Sequence, residues 1–177
     1  MPVVFEIVVA VSRENVIGYK GQLPWGRLPR DLSHFKDITT EHSNSSVVIG
    51  YNTLDSLCKM TLRRTNILPG RKIYVLTNDL QKMARFPDCI GVSDIDSVIR
   101  LGNRSHVFIA GGESIYHQFV KLPQTRVIHM TRIIANYHGD TFFPLLSSNE
   151  WCSKKVVFCS SDEKNKHAMQ FVTLTRV

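Results

Sequence analysis

Val3-Val4-Phe5-Glu6-Ile7-Val8-Val9-Ala10-Val11 is apolar at nearly every position and rich in valine. Such a stretch has no solvated face, which suits a central strand covered on both sides. After it comes a loop, Ser12 to Gly26, carrying Gly18, Gly21, Pro24 and Gly26. Pro29 sits where a helix can begin, and the spacing predicts a helix to about Thr39. Val47 to Gly50 reads as a second short strand, and Tyr51 to about Leu57 as a helix. Leu68-Pro69-Gly70 turns into a strand over Lys72 to Thr77. Ile95 to Leu101 reads as helix and His106 to Ala110 as a buried strand. Gly111-Gly112 then leads into a helix ending near Val120, and Val127 to Ile134 is a further strand. Trp151 to Cys159 and Ala168 to Thr175 alternate in polarity around the polar stretch 160–166, the pattern of an antiparallel hairpin.

Strands alternating with helices and closed by a hairpin predict an α/β fold in three layers. The expected core is a mixed, mostly parallel sheet of about eight strands with helices on both faces, one domain over residues 1–177. Ligands of such sheets bind at the carboxyl ends of the strands, near a topological switch point. The loops after Val11, Gly50, Thr77 and Ala110 are therefore where chemistry is expected.

Composition excludes several functions. The 177 residues are 43% hydrophobic and 21% charged, ordinary values for a globular protein, and no repeat or low-complexity segment interrupts them. The longest apolar run, Ile7 to Val11, is far too short to cross a bilayer. The N-terminus opens straight into a strand pattern rather than a secretory leader, so a soluble cytoplasmic protein is expected. Cys58, Cys89, Cys152 and Cys159 form no CxxC pair, and the seven histidines form no HExxH or HxH pattern. Reduced thiols and no metal are the expectation. The net charge of +7 favours anionic partners. Its basic residues are dispersed except at Arg63-Arg64 and Lys154-Lys155, without interleaved aromatics, so a phosphorylated cofactor or carboxylated substrate suits the charge better than nucleic acid.

Three features could carry chemistry. Leu28, Leu32 and Phe35 stand at i, i+4 and i+7 of the first helix, and Asp31 at i+3 falls on the same stripe. An acidic residue in a first helical turn is ordinarily a solvated partner of the helix dipole. Here its apolar neighbours, with Leu23 and Trp25 just upstream, suggest a carboxylate facing a pocket for a flat ring, its pKa raised by desolvation. Ile109-Ala110-Gly111-Gly112 is a strand end, a glycine pair and a helix start. It lets backbone approach a ligand and offers free N–H groups to a phosphate, though it is not the GxGxxG fingerprint. Leu68-Pro69-Gly70-Arg71 is either a turn with a solvent-facing arginine or a guanidinium clamp for a carboxylate.

Read in order, these segments resemble dihydrofolate reductase over nearly the whole chain. The matching stretches are Val8-Val9-Ala10-Val11, Asn15-Val16-Ile17-Gly18, Gly21-Gln22-Leu23-Pro24-Trp25 and Leu28 to Lys36. Val48-Ile49-Gly50 with Thr53, Leu68-Pro69-Gly70-Arg71 and Ile109-Ala110-Gly111-Gly112 with Tyr116 continue the series. Thr131 and Gly139-Asp140-Thr141-Phe142-Phe143-Pro144 complete it. Each motif is short, but their order and spacing together are specific.

The resemblance implies reduction of 7,8-dihydrofolate to tetrahydrofolate by hydride transfer from NADPH, without metal or covalent intermediate, in a monomer open to antifolate inhibitors. It places Asp31 on the pterin amino group and ring nitrogen, promoting protonation of the neighbouring imine nitrogen. Thr131 would stand behind Asp31, with Leu23 and Trp25 completing the reacting centre. Val8, Val9, Ala110 and Tyr116 would wall the pterin, Leu32 and Phe35 pack on the rings, Leu57 and Leu68 line the aminobenzoyl region, and Arg71 clamp the glutamate carboxylate. Ala10, Ile17 and Leu23 would border the nicotinamide, with Gly18 to Leu23 as a mobile loop over it. Gly50, Thr53, Gly111, Gly112, Glu113, Ser114 and Ile115 would hold the pyrophosphate side, and Tyr51, Asn52, Leu76, Thr77 and Asn78 the adenosine side.

The departures gather on that adenosine side. Tyr51 occupies the position where the family usually carries a basic residue near the cofactor 2′-phosphate. Relaxed discrimination between NADPH and NADH is therefore expected unless Arg63-Arg64 supplies the charge from elsewhere. Two rival functions are a reductase of riboflavin synthesis, which lacks Leu23-Pro24-Trp25 combined with Asp31, and a non-catalytic protein that retains the fold.

Overall fold

A computed structural model describes residues 2–177. Its framework is an eight-stranded sheet in the order β5-β4-β3-β6-β1-β7-β10-β9. In chain order the strands of this sheet are β1 (Phe5–Val11), β3 (Ser45–Gly50), β4 (Lys72–Leu76), β5 (Cys89–Val92), β6 (His106–Ile109), β7 (Thr125–Ile133), β9 (Trp151–Cys159) and β10 (Met169–Arg176). All pairings from β5 to β7 are parallel, and β7-β10-β9 are antiparallel. The four helices are α1 (Pro29–Thr40), α2 (Tyr51–Thr61), α3 (Ile95–Gly102) and α4 (Glu113–Phe119).

The expected mixed, mostly parallel sheet with flanking helices is the fold observed. β1 runs through its middle, and alternation sends its side chains into two cores. Phe5, Ile7, Val9 and Val11 pack with Val98 of α3 and Ile115 and Phe119 of α4. Val8 points the other way, into a core with Val47, Ile49, Phe108 and Leu54 of α2. A strand without a solvated face follows directly from helices on both sides.

Local signals set the helix ends. Pro29 stands at the start of α1 and Asp31 in its first turn. The Asp94 side chain caps α3 by accepting from the Ser97 N–H at 2.7 Å. α2 runs a turn beyond Leu57 and stops where Leu62 adopts a left-handed conformation, φ 56°. Its added turn carries Arg63 and Arg64 away from the residue that opens the helix, Tyr51.

Four elements were not anticipated. Cys89–Val92 forms the edge strand β5, too short and too exposed at Ile90 to show a period. Leu80–Arg85 forms a 3₁₀ segment that packs against β5. Val16–Gly18 (β2) and Thr141–Phe142 (β8) form a small antiparallel ribbon outside the main sheet. Among the described residues no helix is long and apolar enough to cross a membrane.

Candidate active site

The chain leaves β1 towards β3, β4 and β5 on one side and later returns through β6 to place β7 on the other. The crevice expected at such a reversal opens at the carboxyl ends of β1, β6 and β3. α1 forms its wall on one sheet face. Leu32, Phe35 and Ile38 stay half-exposed, whereas the buried positions of the helix are the polar Asp31 and Thr39. An apolar helix face left half-open while a carboxylate is buried inverts the usual order of burial, as a ligand cleft requires. Leu28, at the head of this stripe, drops beneath it with Trp25, Ile133 and Met169.

Asp31 is 9% exposed. Burial pushes its carboxyl up to about 6, and a hydrogen bond from the Thr131 hydroxyl opposes the rise. Thr131, itself buried, is opposite Ala10 in the β1–β7 register, so the central strand carries the two residues to the same level. Tyr116 donates to the Val8 carbonyl at 2.8 Å, and its own ionisation is pushed far up by burial and by the nearby Asp31. The Trp25 indole nitrogen is buried without a protein partner, a donor that a ligand or bound water would satisfy.

Beyond Asp31 the floor is backbone. The Gly111–Gly112 peptide is cis, and Gly111 lies at φ +117°, a conformation open only to glycine. Gly50 N–H donates to the Gly111 carbonyl at 2.8 Å, which locks the start of α2 to the start of α4. A Cβ on Gly112 would stand 3.1 Å from the Thr53 hydroxyl, and one on Gly50 3.2 Å from Ile115. Two helix N-termini and a side-chain-free floor thus converge, a cradle suited to phosphate oxygens. The residues present fit a dinucleotide pyrophosphate.

The loop expected to cover the site is tied down at several points. Gly18 pairs with Thr141, the Lys20 N–H donates to the Asp140 carboxylate at 2.9 Å, and the Ser56 hydroxyl donates to the Gly21 carbonyl at 2.7 Å. Glu113 accepts from the Phe142 N–H at 3.0 Å, so its carboxylate braces the ribbon rather than pointing at a phosphate. Leu23 and Ala10 border the core around Trp25, and Ile17 borders the core on the α3–α4 side.

Arg71 is half-buried. It donates to the Thr39 hydroxyl at 2.9 Å and the Pro69 carbonyl at 3.1 Å, and stands 5.8 Å from the Phe35 ring centre. These contacts hold the guanidinium beside the open face of α1. Leu57 and Leu68 join the same core as Phe35. Among the expected pterin residues, the Val9 and Tyr116 side chains both join the α3–α4 core, Tyr116 reaching the Val8 carbonyl through its hydroxyl. On the adenosine side, Tyr51 is half-buried, Asn52 and Asn78 are exposed, and the Thr77 hydroxyl accepts from the Asp79 N–H at 3.2 Å. Ser114 is exposed at the start of α4, and Leu76 is half-buried at the end of β4.

Sequence reasoning missed Lys82. From the 3₁₀ segment its ammonium stands 5.5 Å from the Tyr51 ring centre and 3.6 Å from the Asp79 carboxylate. Only tertiary folding brings residues 51 and 82 together, so no local pattern could have announced it.

A buried carboxylate on a half-open apolar helix face, next to a glycine-lined cradle for phosphate oxygens, is the arrangement expected of a dinucleotide-dependent reductase. The comparisons narrow this class. A family model described as dihydrofolate reductase matches residues 4–176. The dihydrofolate reductase of Staphylococcus aureus is 34% identical over 170 residues, covering 96% of both chains. That of Haemophilus influenzae is 32% identical over 173 residues, covering 97% of this chain and 98% of its own. A solved dihydrofolate reductase from Enterococcus faecalis, complexed with NADP(H) and RAB-propyl, superposes with a TM-score of 0.84 at 27% identity, covering 98% and 96% of the two chains. The chain belongs to the dihydrofolate reductase family. Its reaction is the NADPH-dependent reduction of dihydrofolate to tetrahydrofolate.

Proposed function

We propose that Asp31 is the group on which this reduction turns. The observation that carries the assignment is its burial, at 9% exposure, on the half-open face of α1 with Thr131 behind it. The carboxylate accepts hydrogen bonds from the pterin amino group and adjacent ring nitrogen, and the negative charge it places there favours a proton on the neighbouring imine nitrogen. Protonation makes the adjacent carbon a better hydride acceptor. Bound NADPH supplies the hydride. Thr131 fixes the carboxylate, Tyr116 fixes the Val8 carbonyl, and the Trp25 N–H is free to hold a water beside the pterin. Ala10, Ile17 and the tethered loop from Gly18 to Leu23 exclude bulk water from the transfer path.

Arg71 faces the substrate glutamate, with Leu32, Phe35, Leu57 and Leu68 around the intervening rings. Gly50, Thr53, Gly111, Gly112, Ser114 and the N–H groups of Ile115 and Glu113 hold the pyrophosphate. Leu76, Thr77 and Asn78 flank the adenosine. The chain acts as a monomer in the cytoplasm, and antifolates occupy the Asp31 cleft.

Asp31→Asn tests the assignment. A pH series of dihydrofolate-dependent NADPH oxidation should show a loss of roughly 100-fold or more at pH 7, the scale of a lost proton-transfer group. Partial recovery at low pH, where the substrate arrives protonated, is expected. Full activity of the variant at pH 7 would refute it.

For the 2′-phosphate the charge is assigned to Lys82 rather than to Arg63-Arg64. α2 separates those arginines from Tyr51 by its whole length, whereas Lys82 stands over the Tyr51 ring. With that ammonium present, selection of NADPH over NADH no longer depends on residue 51.

A further inference from the structure

A second cleft, of about 720 Å³, opens between α3 and the amino ends of β3, β4 and β6. It lies at the opposite end of the strands from the reaction. Ser46 lies beside the amino end of β3 and Gly50 at its carboxyl end, and Lys72 and Leu76 mark the ends of β4, a separation of about 13 Å along each strand. Its lining residues Tyr74 and Leu101 pack against the α3–α4 core, on the sheet face away from α1.

The lining is charged with one sign. Lys72, Arg100 and Arg104 reach the cleft, and no carboxylate among the described residues lines it. Lys72 and Arg104 have no ion-pair partner among the described residues, and Arg100 has only a long contact of 3.8 Å to the Asp94 carboxylate that caps α3. The Ser97 hydroxyl accepts from Arg100 at 2.8 Å, leaving its proton free for a ligand. The floor is fixed: Ser46, fully buried, donates to the Ser105 hydroxyl at 3.0 Å.

Three cations around a concave site, only Arg100 of them with a carboxylate in reach among the described residues, repel one another until an anion enters. Guanidinium forks and an ammonium suit phosphate oxygens, and the Tyr74 ring with Leu101 offers an apolar surface beside them. The volume falls within the range of small-molecule sites. We propose that this cleft binds a phosphorylated small molecule bearing a flat ring, of nucleoside diphosphate size. Its cations are gathered into one concavity rather than spread along a face, which favours a small ligand over a nucleic acid strand.

The test uses the intact protein saturated with NADPH, so that the cofactor site cannot take up the probes. Calorimetric titration with ADP and with inorganic pyrophosphate, at fixed ionic strength, should show one site per chain, ADP binding more tightly. Arg104→Glu and Lys72→Gln should each weaken ADP at least about fivefold while leaving turnover of dihydrofolate unchanged. Circular dichroism checks folding, and Lys72→Gln decides the matter if the charge reversal unfolds the chain. No binding of ADP to the holo protein, or unchanged binding by both variants, overturns the proposal. So does tighter, steeply salt-dependent binding of a single-stranded oligonucleotide, which would make the cleft part of a nucleic acid track.

Discussion

The Tyr116 hydroxyl donates to the Val8 carbonyl at 2.8 Å, tying α4 to the central strand across 108 residues of sequence. The bond is fully buried, and the ring also meets Phe143 edge-on at 5.1 Å. Tyr116→Phe keeps that edge contact but removes the hydroxyl donor. A loss of about 1–2 kcal/mol in urea denaturation is expected, the cost of leaving one buried acceptor short. Cofactor affinity should fall by a few-fold as the start of α4 loosens.

Asp31 should be a liability in the absence of ligand. Its carboxyl rises from 3.8 to about 6 on folding, so the folded chain holds a proton that the unfolded chain has released across that interval. Stability should therefore fall as pH rises from about 4 through about 6. Above that window the penalty approaches about 3 kcal/mol. Apo Asp31→Asn should melt higher than the parent at pH 8, with the gap closing towards pH 4. Equal melting curves at pH 8 would contradict the burial ascribed to this carboxylate.

Glu6 should behave in the opposite sense. Burial pushes its carboxyl up, but hydrogen bonds and charge from His129 and then His106 outweigh burial and hold it below its ordinary value. The His129 and His106 Nε2 atoms lie 2.5 Å and 2.8 Å from its two oxygens. A lowered carboxyl contributes stability above its unfolded value of 4.5, lost as pH falls through the folded value. Glu6→Gln should cost about 1–2 kcal/mol at neutral pH, and the cost should shrink as pH falls below 4.5 through the lowered folded value, readable in acid denaturation profiles.

Lys82→Ala should raise the dissociation constant for NADPH by about 5- to 20-fold and leave that for NADH unchanged. The figure is set by one charge-assisted contact at an exposed position, with Asp79 competing for the ammonium. Fluorescence titration of each cofactor distinguishes this from general damage, which would weaken both. Arg63→Ala with Arg64→Ala should alter neither.

The sequence disclosed what depends on local pattern. The valine run of β1, the turn before β4 and the terminal hairpin are each visible within a window of ten residues, although β9, exposed along most of its length, lacks the expected alternation. Asp31 was legible because helical spacing alone sets it beside Leu32 and Phe35. β5 was not, since Cys89-Ile90-Gly91-Val92 is an edge strand whose partner, not its composition, makes it extended. β2 and β8 are three and two residues long and exist only through each other. The tie between Tyr51 and Lys82, and the bridging of two histidines by Glu6, join residues distant in the chain. Val9 shows the converse limit: a resemblance names a position, but strand alternation decides which face its side chain serves.

The loop from Gly18 to Leu23 rests on three separate anchors, at Thr141, Asp140 and Ser56. A cover already ordered before anything binds spends little of the ligand's association energy on being immobilised. Affinity gains from this, but traffic does not. If each molecule entering or leaving waits for several of these hydrogen bonds to break together, release rather than chemistry is expected to set the tempo. Cutting one anchor, as Ser56→Ala does, should shorten the stay of both cofactor and product.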